Sequence, residues 1–152
     1  MTQHQLVREP ARSAVLISIR SSFVEAIFSG EKTVELRRHA PKVAMGTPMV
    51  VYSSGRDMAI RGYAVIGQIL ASDPDSLWEL VGQETGLSRA EYDAYFAGAE
   101  RAYAIPLESI SEGKQQVSLA DMRAEHGLEP PQSWRYLGME SFERIRKAVS
   151  AA

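Results

Sequence analysis

Residues Ile60 to Leu70 read as one long strand with Gly62 and Gly67 set inside it. A glycine in a strand interior packs no side chain, and it marks a bulge or a sharp bend. A sheet carrying such a strand must curl. The other β-rich runs are short: Ala14 to Ile19, Lys32 to Arg37, Pro48 to Ser53 and Tyr103 to Ile110. Helical segments lie between some of them, but strands and helices do not alternate strictly. A doubly wound parallel sheet is therefore not expected. The pattern predicts an α+β fold, a small, mostly antiparallel mixed β-barrel with peripheral helices.

The helices announce themselves by their ends. Ser21 or Ser22 is the expected N-cap of a helix over Phe23 to Ser29, and Gly30 ends it. Asp73-Pro74 opens a second helix, and Ser88 with Glu91 spells a capping box before a third. Trp78, Tyr92, Tyr95 and Phe96 fall at helical spacing and are expected in the core. A short helix is predicted over Val117 to Arg123, an extended stretch over Pro130 to Leu137 and a last helix over Met139 to Val149. The reading gives a flexible tail over residues 1–13 and a single domain over residues 14–150.

Composition narrows the functional classes. The formal net charge is -2, so no global basic field attracts nucleic acid and any such affinity must come from a local patch. The chain has no cysteine, which excludes disulfides and thiolate metal sites. His4, His39 and His126 are scattered without ligand spacing, so no metal is expected. No phosphate-loop, dinucleotide or serine-hydrolase motif occurs, and no cofactor is expected. No apolar run approaches the ~18 residues of a membrane span. The expectation is a cytoplasmic protein without a membrane partner.

The chemistry concentrates in Gly30-Glu31-Lys32-Thr33-Val34-Glu35-Leu36-Arg37-Arg38. From Val34 the residues alternate, so Glu35 and Arg37 share one face of a strand and the aliphatics take the other. Lys32 stands just before that strand. A cation, an acid and an arginine that converge at one strand entrance suit an anionic or polar ligand. The bland reading is a surface ion network, worth under ~1 kcal/mol per exposed pair. Arg38 and His39 extend the positive edge. Ser53, Ser54 and Arg56 follow a buried strand at a turn, where they either donate to phosphate or close the turn. Tyr103, Trp134 and Tyr136 lie on extended segments, where aromatics pack in cores or stack on bases. Ser133 and Arg135 flank Trp134.

These motifs together resemble the ASCH domains of the PUA-like superfamily. Gly30-x-Lys32-Thr33-x-Glu35-x-Arg37 fits the G-x-K-x-x-E-x-R signature. Val51-Tyr52-Ser53-Ser54, Ile60-x-Gly62, Asp73-Pro74-x-x-Leu77-Trp78, Tyr95-Phe96-x-Gly98 and Pro131-Gln132-Ser133-Trp134-x-Tyr136 follow in order. The resemblance implies a PUA-like barrel with a cleft on the Lys32, Glu35 and Arg37 segment. Its expected ligand is RNA, a single-stranded nucleic acid or a modified nucleoside, in a binding and regulatory role. The ligand set extends to Arg38, Ser53, Ser54, Arg56, Tyr103, Ser133 and Trp134. The alternative is a hydrolase. One ASCH group cleaves the amide of N4-acetylcytidine with a lysine, a threonine three residues later and a glutamate from a helical insertion. Others have been associated with ribonuclease activity. On that reading Lys32, Glu35 and Glu84 are the catalytic set, with Glu35 where the amidohydrolases carry threonine. A third class is a partner-binding regulator with a vestigial cleft.

Overall fold

The computed structural model describes residues 13–151. The predicted tail lies outside these residues apart from Ser13, which already belongs to the first strand. Seven strands form one mixed sheet: β1 (Ser13–Arg20), β2 (Val34–Arg37), β3 (Pro48–Ser54), β4 (Ala59–Ile66), β5 (Leu70–Ser72), β6 (Ala102–Ser118) and β7 (Trp134–Gly138). Among the described residues five α-helices surround it: α1 (Ser21–Ser29), α2 (Pro74–Val81), α3 (Arg89–Tyr95), α4 (Leu119–His126) and α5 (Met139–Ser150). The strand order is β2-β6-β4-β3-β1-β7, with β5 also on β6. Among the described strands only β1 and β3 pair in parallel; the other ladders are antiparallel. The result is the α+β half-barrel that the short, bent strands predicted.

The curl comes from β4 and β6. The 17-residue β6 pairs with β2 and β5 through its first residues and with β4 through the rest. The register slips between Ile60 and Gly62 and again between Val65 and Ile66, so β4 carries the expected bulge at Gly62. It ends at Ile66 rather than Leu70. Gly67 leaves the ladder and donates its N–H to the Pro106 carbonyl at 2.9 Å. The strand predicted over Tyr103 to Ile110 runs on to Ser118 through the polar stretch Ser111 to Gln116. Ser111 and Glu112 pair with Tyr63 and Gly62, and Val117 and Ser118 pair with Ile60 and Ala59, so the polar run between them is held within the strand from both ends.

Gly62 is where the bend tolerates no side chain. A Cβ there would lie 2.2 Å from the Ser111 carbonyl oxygen and 3.0 Å from the Phe28 ring. The oxygen belongs to the backbone and cannot swing away. Gly62→Ala is expected to cost about 2–3 kcal/mol through overpacking. Urea unfolding should show a lower midpoint with an unchanged slope, and a wild-type midpoint would contradict the close approach.

The sheet is buried on both faces. On β1, Ala14 and Leu16 face a cluster with Phe142, Ile145 and Val149 of α5 and Met122 of α4. Val15, Ile17 and Ile19 face the inside of the curl with Val24 and Ile27 of α1, Met49, Val51 and Ile105. A third cluster joins Val34 and Leu36 of β2 to Leu77, Val81, Tyr92 and Phe96 of the helical insertion. Asp73 caps α2 by accepting from Ser76 N at 3.0 Å. Ser88 and Glu91 form the full capping box on α3. The expected cap on α1 is corrected: its N-cap is Arg20, which makes no side-chain bond to the helix. Ser21 is inside the helix. Its hydroxyl donates to the Ser54 carbonyl at 2.8 Å, contacts Ser53 Oγ at 2.9 Å and accepts from Asp57 N at 3.1 Å. Among the described residues no helix is long and apolar enough to cross a membrane.

Candidate functional site

A cleft of about 810 Å³ opens where the two ends of the sheet approach each other. Lys32, Glu35, Leu36 and Arg37 line it from the β2 side. Ser18, Ile19, Arg20 and Phe23 line it from β1 and α1, and Tyr52 and Ser54 from β3. The helical insertion adds Leu87, Glu91, Ala94 and Tyr95, and the loop before β7 adds Pro130, Pro131 and Gln132.

Two of its charged members, Lys32 and Glu35, are nearly closed off from water. Lys32 is 3% exposed and Glu35 6%, which removes the surface ion network as a description. Lys32 Nζ donates to the Thr85 carbonyl at 2.7 Å and lies 3.5 Å from Glu35 Oε1, the outer limit of a hydrogen bond. Beyond that ionic contact Glu35 Oε1 has no hydrogen-bond partner among the described residues. Phe23 places its ring 5.2 Å from Lys32 Nζ. Burial outweighs the attraction of Glu35, and Arg37 adds repulsion, so the Lys32 ammonium titrates below its usual range.

The Lys32 stem is fixed from the helical insertion. Thr85 is fully buried, its hydroxyl donates to the Gly82 carbonyl at 2.8 Å, and it accepts from Leu87 N at 3.2 Å. Thr33 N donates to the Glu84 carbonyl at 3.0 Å, so the residue after the lysine is also tied to the insertion. Gly86, with φ of +76°, brings the turn against Lys32: a Cβ there would meet Lys32 Cβ at 3.3 Å.

Arg37 occupies the seam itself. Its Nε donates to Glu35 Oε2 at 3.0 Å, and its Nη2 donates to the same oxygen at 2.7 Å. Nη2 also donates to the Ser18 carbonyl at 2.8 Å, and Nη1 donates to Ser133 Oγ at 2.9 Å and to the Ser133 carbonyl at 3.4 Å. All five N–H donors of the guanidinium are engaged. Trp134 Nε1 reaches the His39 carbonyl at 3.1 Å and Lys42 N reaches Tyr136 Oη at 2.9 Å across the same seam. Side chains, rather than a ladder, hold the two ends of the sheet together.

The other expected site residues disperse. Ser54 lines the cleft, whereas Ser53 is buried behind it and donates to Asp57 Oδ2 at 2.8 Å. Ser133 meets the cleft through Arg37. Arg56 is exposed and pairs with Glu25 and Asp57 outside the cleft. Arg38 binds the Tyr95 and Ala97 carbonyls at 2.9 and 3.3 Å beyond the end of α3. Tyr103 sits opposite Arg37 on β6, outside the cleft. Trp134 packs edge-on to Tyr136 at 5.3 Å between ring centroids, also outside it. Glu84 is exposed, and its segment reaches Lys32 through the neighbouring Thr85 carbonyl instead of through a carboxylate.

Sequence reasoning did not select Arg20, Tyr52, Glu91 or Gln132 for the cleft. It also placed Tyr95 in the core, yet Tyr95 is 40% exposed and lines the cleft. Tyr92 and Phe96 took the buried places of that helix, and the third aromatic was left to face out. Its hydroxyl donates to the Leu36 carbonyl at 3.2 Å. The phenols of Tyr52 and Tyr95 are both raised by burial, so each remains protonated at neutral pH. Glu91 spends its carboxylate on the Ser88 N–H at 2.8 Å, which holds its carboxyl below the usual range.

A curled α+β half-barrel with a charged cleft at its seam defines a PUA-like domain. Residues 12–127 match a family described as a domain of unknown function, DUF365. A Zymomonas mobilis protein named ASCH domain-containing ribonuclease is 32% identical over 147 residues, spanning 93% of this chain and 95% of that protein. The crystal structure of ASCH from Zymomonas mobilis gives a TM-score of 0.81 at 31% identity, covering 88% of this chain and 94% of that one. A serine-to-alanine variant of the Zymomonas protein gives 0.84 at 30% identity, covering 93% and 99%. The chain belongs to the ASCH domain family.

Proposed function

We propose that this chain binds RNA by taking one unstacked nucleotide of a single strand into the cleft. The observation that carries the reading is the buried Lys32–Glu35 pair on a cleft of about 810 Å³. That volume is within the usual range of small-ligand pockets. Desolvated polar groups at the floor of such a pocket discriminate strongly, because each is costly to leave unmatched. Glu35 Oε1 can take a donor and Lys32 Nζ can supply one, and Phe23, Tyr52 and Tyr95 offer rings beside a base. The Zymomonas relative named a ribonuclease supports RNA as the ligand. An RNA ligand fits a cytoplasmic protein.

Two observations favour a second step, cleavage of the bound strand: the name of that relative and the depressed basicity of Lys32. In this reading the neutral Lys32 amine takes the proton of a ribose 2′-hydroxyl. The 2′-oxygen bonds to the adjacent phosphorus and the bond from phosphorus to the 5′-oxygen breaks. The leaving oxygen takes a proton from water, and the hydroxide so formed takes back the proton held by Lys32. The products are a 2′,3′-cyclic phosphate end and a 5′-hydroxyl end.

The test is a titration of the wild-type protein with short single-stranded RNAs and with N4-acetylcytidine, followed by analysis of the RNA ends. Saturable RNA binding that weakens with salt is the expected result, with cyclic-phosphate ends if cleavage occurs. Amide hydrolysis of N4-acetylcytidine without RNA binding would overturn the reading in favour of a nucleoside hydrolase. No binding of either ligand at low salt would leave a partner-binding regulator.

A further inference from the structure

Four of the arginines and lysines that sequence reasoning placed at the site already have partners. Lys32 is held by Thr85 and Glu35, and Arg37 has given all five donors to Glu35, Ser18 and Ser133. Arg38 is bonded to the end of α3, and Arg56 is paired with Glu25 and Asp57. A ligand carrying negative charge must find its cation elsewhere on the cleft wall.

Arg20 is that cation. It is the last residue of β1, it is exposed, and it lines the cleft. It makes no side-chain bond to the helix it precedes. No described residue forms an ion pair with it. Its register partner on the parallel strand β3 is Ser54, which also lines the cleft. The nine-residue α1 begins at the next residue, with no acidic side chain in its first turn. A strand that ends in arginine and passes directly into a helix start brings a cation and free backbone N–H groups to one place. On the same cleft the buried Glu35 Oε1 has no hydrogen-bond partner among the described residues. The cleft thus offers an anion site on one wall and an acceptor on its floor. A nucleotide carries the complementary pair: phosphate oxygens, and donor groups on its base.

We propose that Arg20, with Ser54 beside it and the first turn of α1 behind it, holds a phosphate of the bound strand. The ligand is then a phosphate-bearing nucleotide and not a free nucleoside. This rests on the reading of the cleft as an RNA site. The assignment also divides the arginines by role: Arg37 closes the sheet and Arg20 meets the ligand.

The experiment is fluorescence anisotropy with a labelled single-stranded RNA hexamer over a series of salt concentrations. The proteins are wild type, Arg20→Gln, Arg20→Lys and Lys147→Gln, the last an exposed residue on α5. Loss of one charge-assisted contact predicts roughly ten-fold weaker binding by Arg20→Gln at low salt. The slope of log affinity against log salt should fall by roughly 0.7 to 1. Arg20→Lys should keep most of the slope, and Lys147→Gln should match wild type. Thermal melts should show all four equally folded, since the Arg20 side chain makes no hydrogen bond or ion pair among the described residues and its ladder to Ser54 is backbone. Wild-type affinity and slope in Arg20→Gln would overturn the phosphate site alone. An equal loss in Arg20→Lys and Arg20→Gln would also overturn it, because charge would then not be what matters. Failure of the wild-type protein to bind the hexamer would instead remove the RNA reading and this site with it.

Discussion

Lys32→Met should abolish most RNA binding and leave the protein folded. The lost contact is a charge-assisted donor in a desolvated pocket, so affinity is expected to fall roughly ten- to hundred-fold. Stability should respond differently. Burial lowers the Lys32 pKa in the folded chain, while the unfolded chain keeps the ordinary value of 10.5. Between those two values the unfolded state binds more protons, so this group makes stability rise with pH there. Below the folded-state pKa the folded protein carries the full cost of a buried ammonium. Methionine has a similar length and no charge, so it removes that cost. It also leaves the Thr85 carbonyl without its donor, which offsets the gain. The melting temperature at neutral pH should stay within a few degrees of wild type, and the stabilisation at alkaline pH should disappear. Calorimetry from pH 7 to pH 10.5, beside an RNA titration, reads both. Undiminished binding would dismiss Lys32 from the site. A collapse in stability would show that it is structural.

Arg37→Ala should do the reverse and damage the fold itself. Arg37 and Glu35 are 12% and 7% exposed in their side chains and touch at 2.7 Å. Removing one partner of a buried pair leaves the other uncompensated, at about 3–5 kcal/mol. For a domain of this size that corresponds to a melting point lower by roughly 10 °C or more. The Ser18 and Ser133 carbonyls lose a donor at the same time, and the loop before β7 loses its tether to β2. Arg37→Lys should recover little, because a single ammonium cannot replace a planar fork that serves three segments. Denaturant unfolding of both variants checks this. A loss below about 1 kcal/mol for Arg37→Ala would return the Glu35–Arg37 pair to the class of surface ion pairs.

Local chemistry was readable from the chain and distant partnership was not. Gly30, Asp73 and the Ser88–Glu91 box are contacts among residues a few positions apart, and each was found where the sequence placed it. The shared face of Glu35 and Arg37 follows from strand alternation alone, and on that face the two side chains touch. Lys32 also meets Glu35, three residues on. Its second partner, the Thr85 backbone carbonyl 53 positions later, has no sequence signal because every residue carries one. Ser21 shows how a local rule loses: its hydroxyl had a distant use at Ser53, Ser54 and Asp57 and so capped nothing. Trp134 and Tyr103 have the composition of a stacking wall. The sheet order turned them away from the cleft, and Phe23, Tyr52 and Tyr95 came to it instead. Arg20 looked ordinary because its meaning depends on which other cations were already engaged.

Ser72 and Ala102 are partners on one antiparallel ladder. Everything between them, from the cap at Asp73 to the end of the helical insertion, leaves the barrel at one rung and returns at the next. In topology the insertion is therefore a hairpin turn that has grown. Loop closure depends only weakly on loop length, so such a turn can lengthen, shorten or be exchanged at little expense to the ladder that carries it. Yet this turn supplies Leu87, Glu91, Ala94 and Tyr95 to the cleft and the carbonyl that aims Lys32. The barrel and the ligand it accepts are thus separable inheritances: one part of the chain keeps the shape, and another can be rewritten to choose what fits.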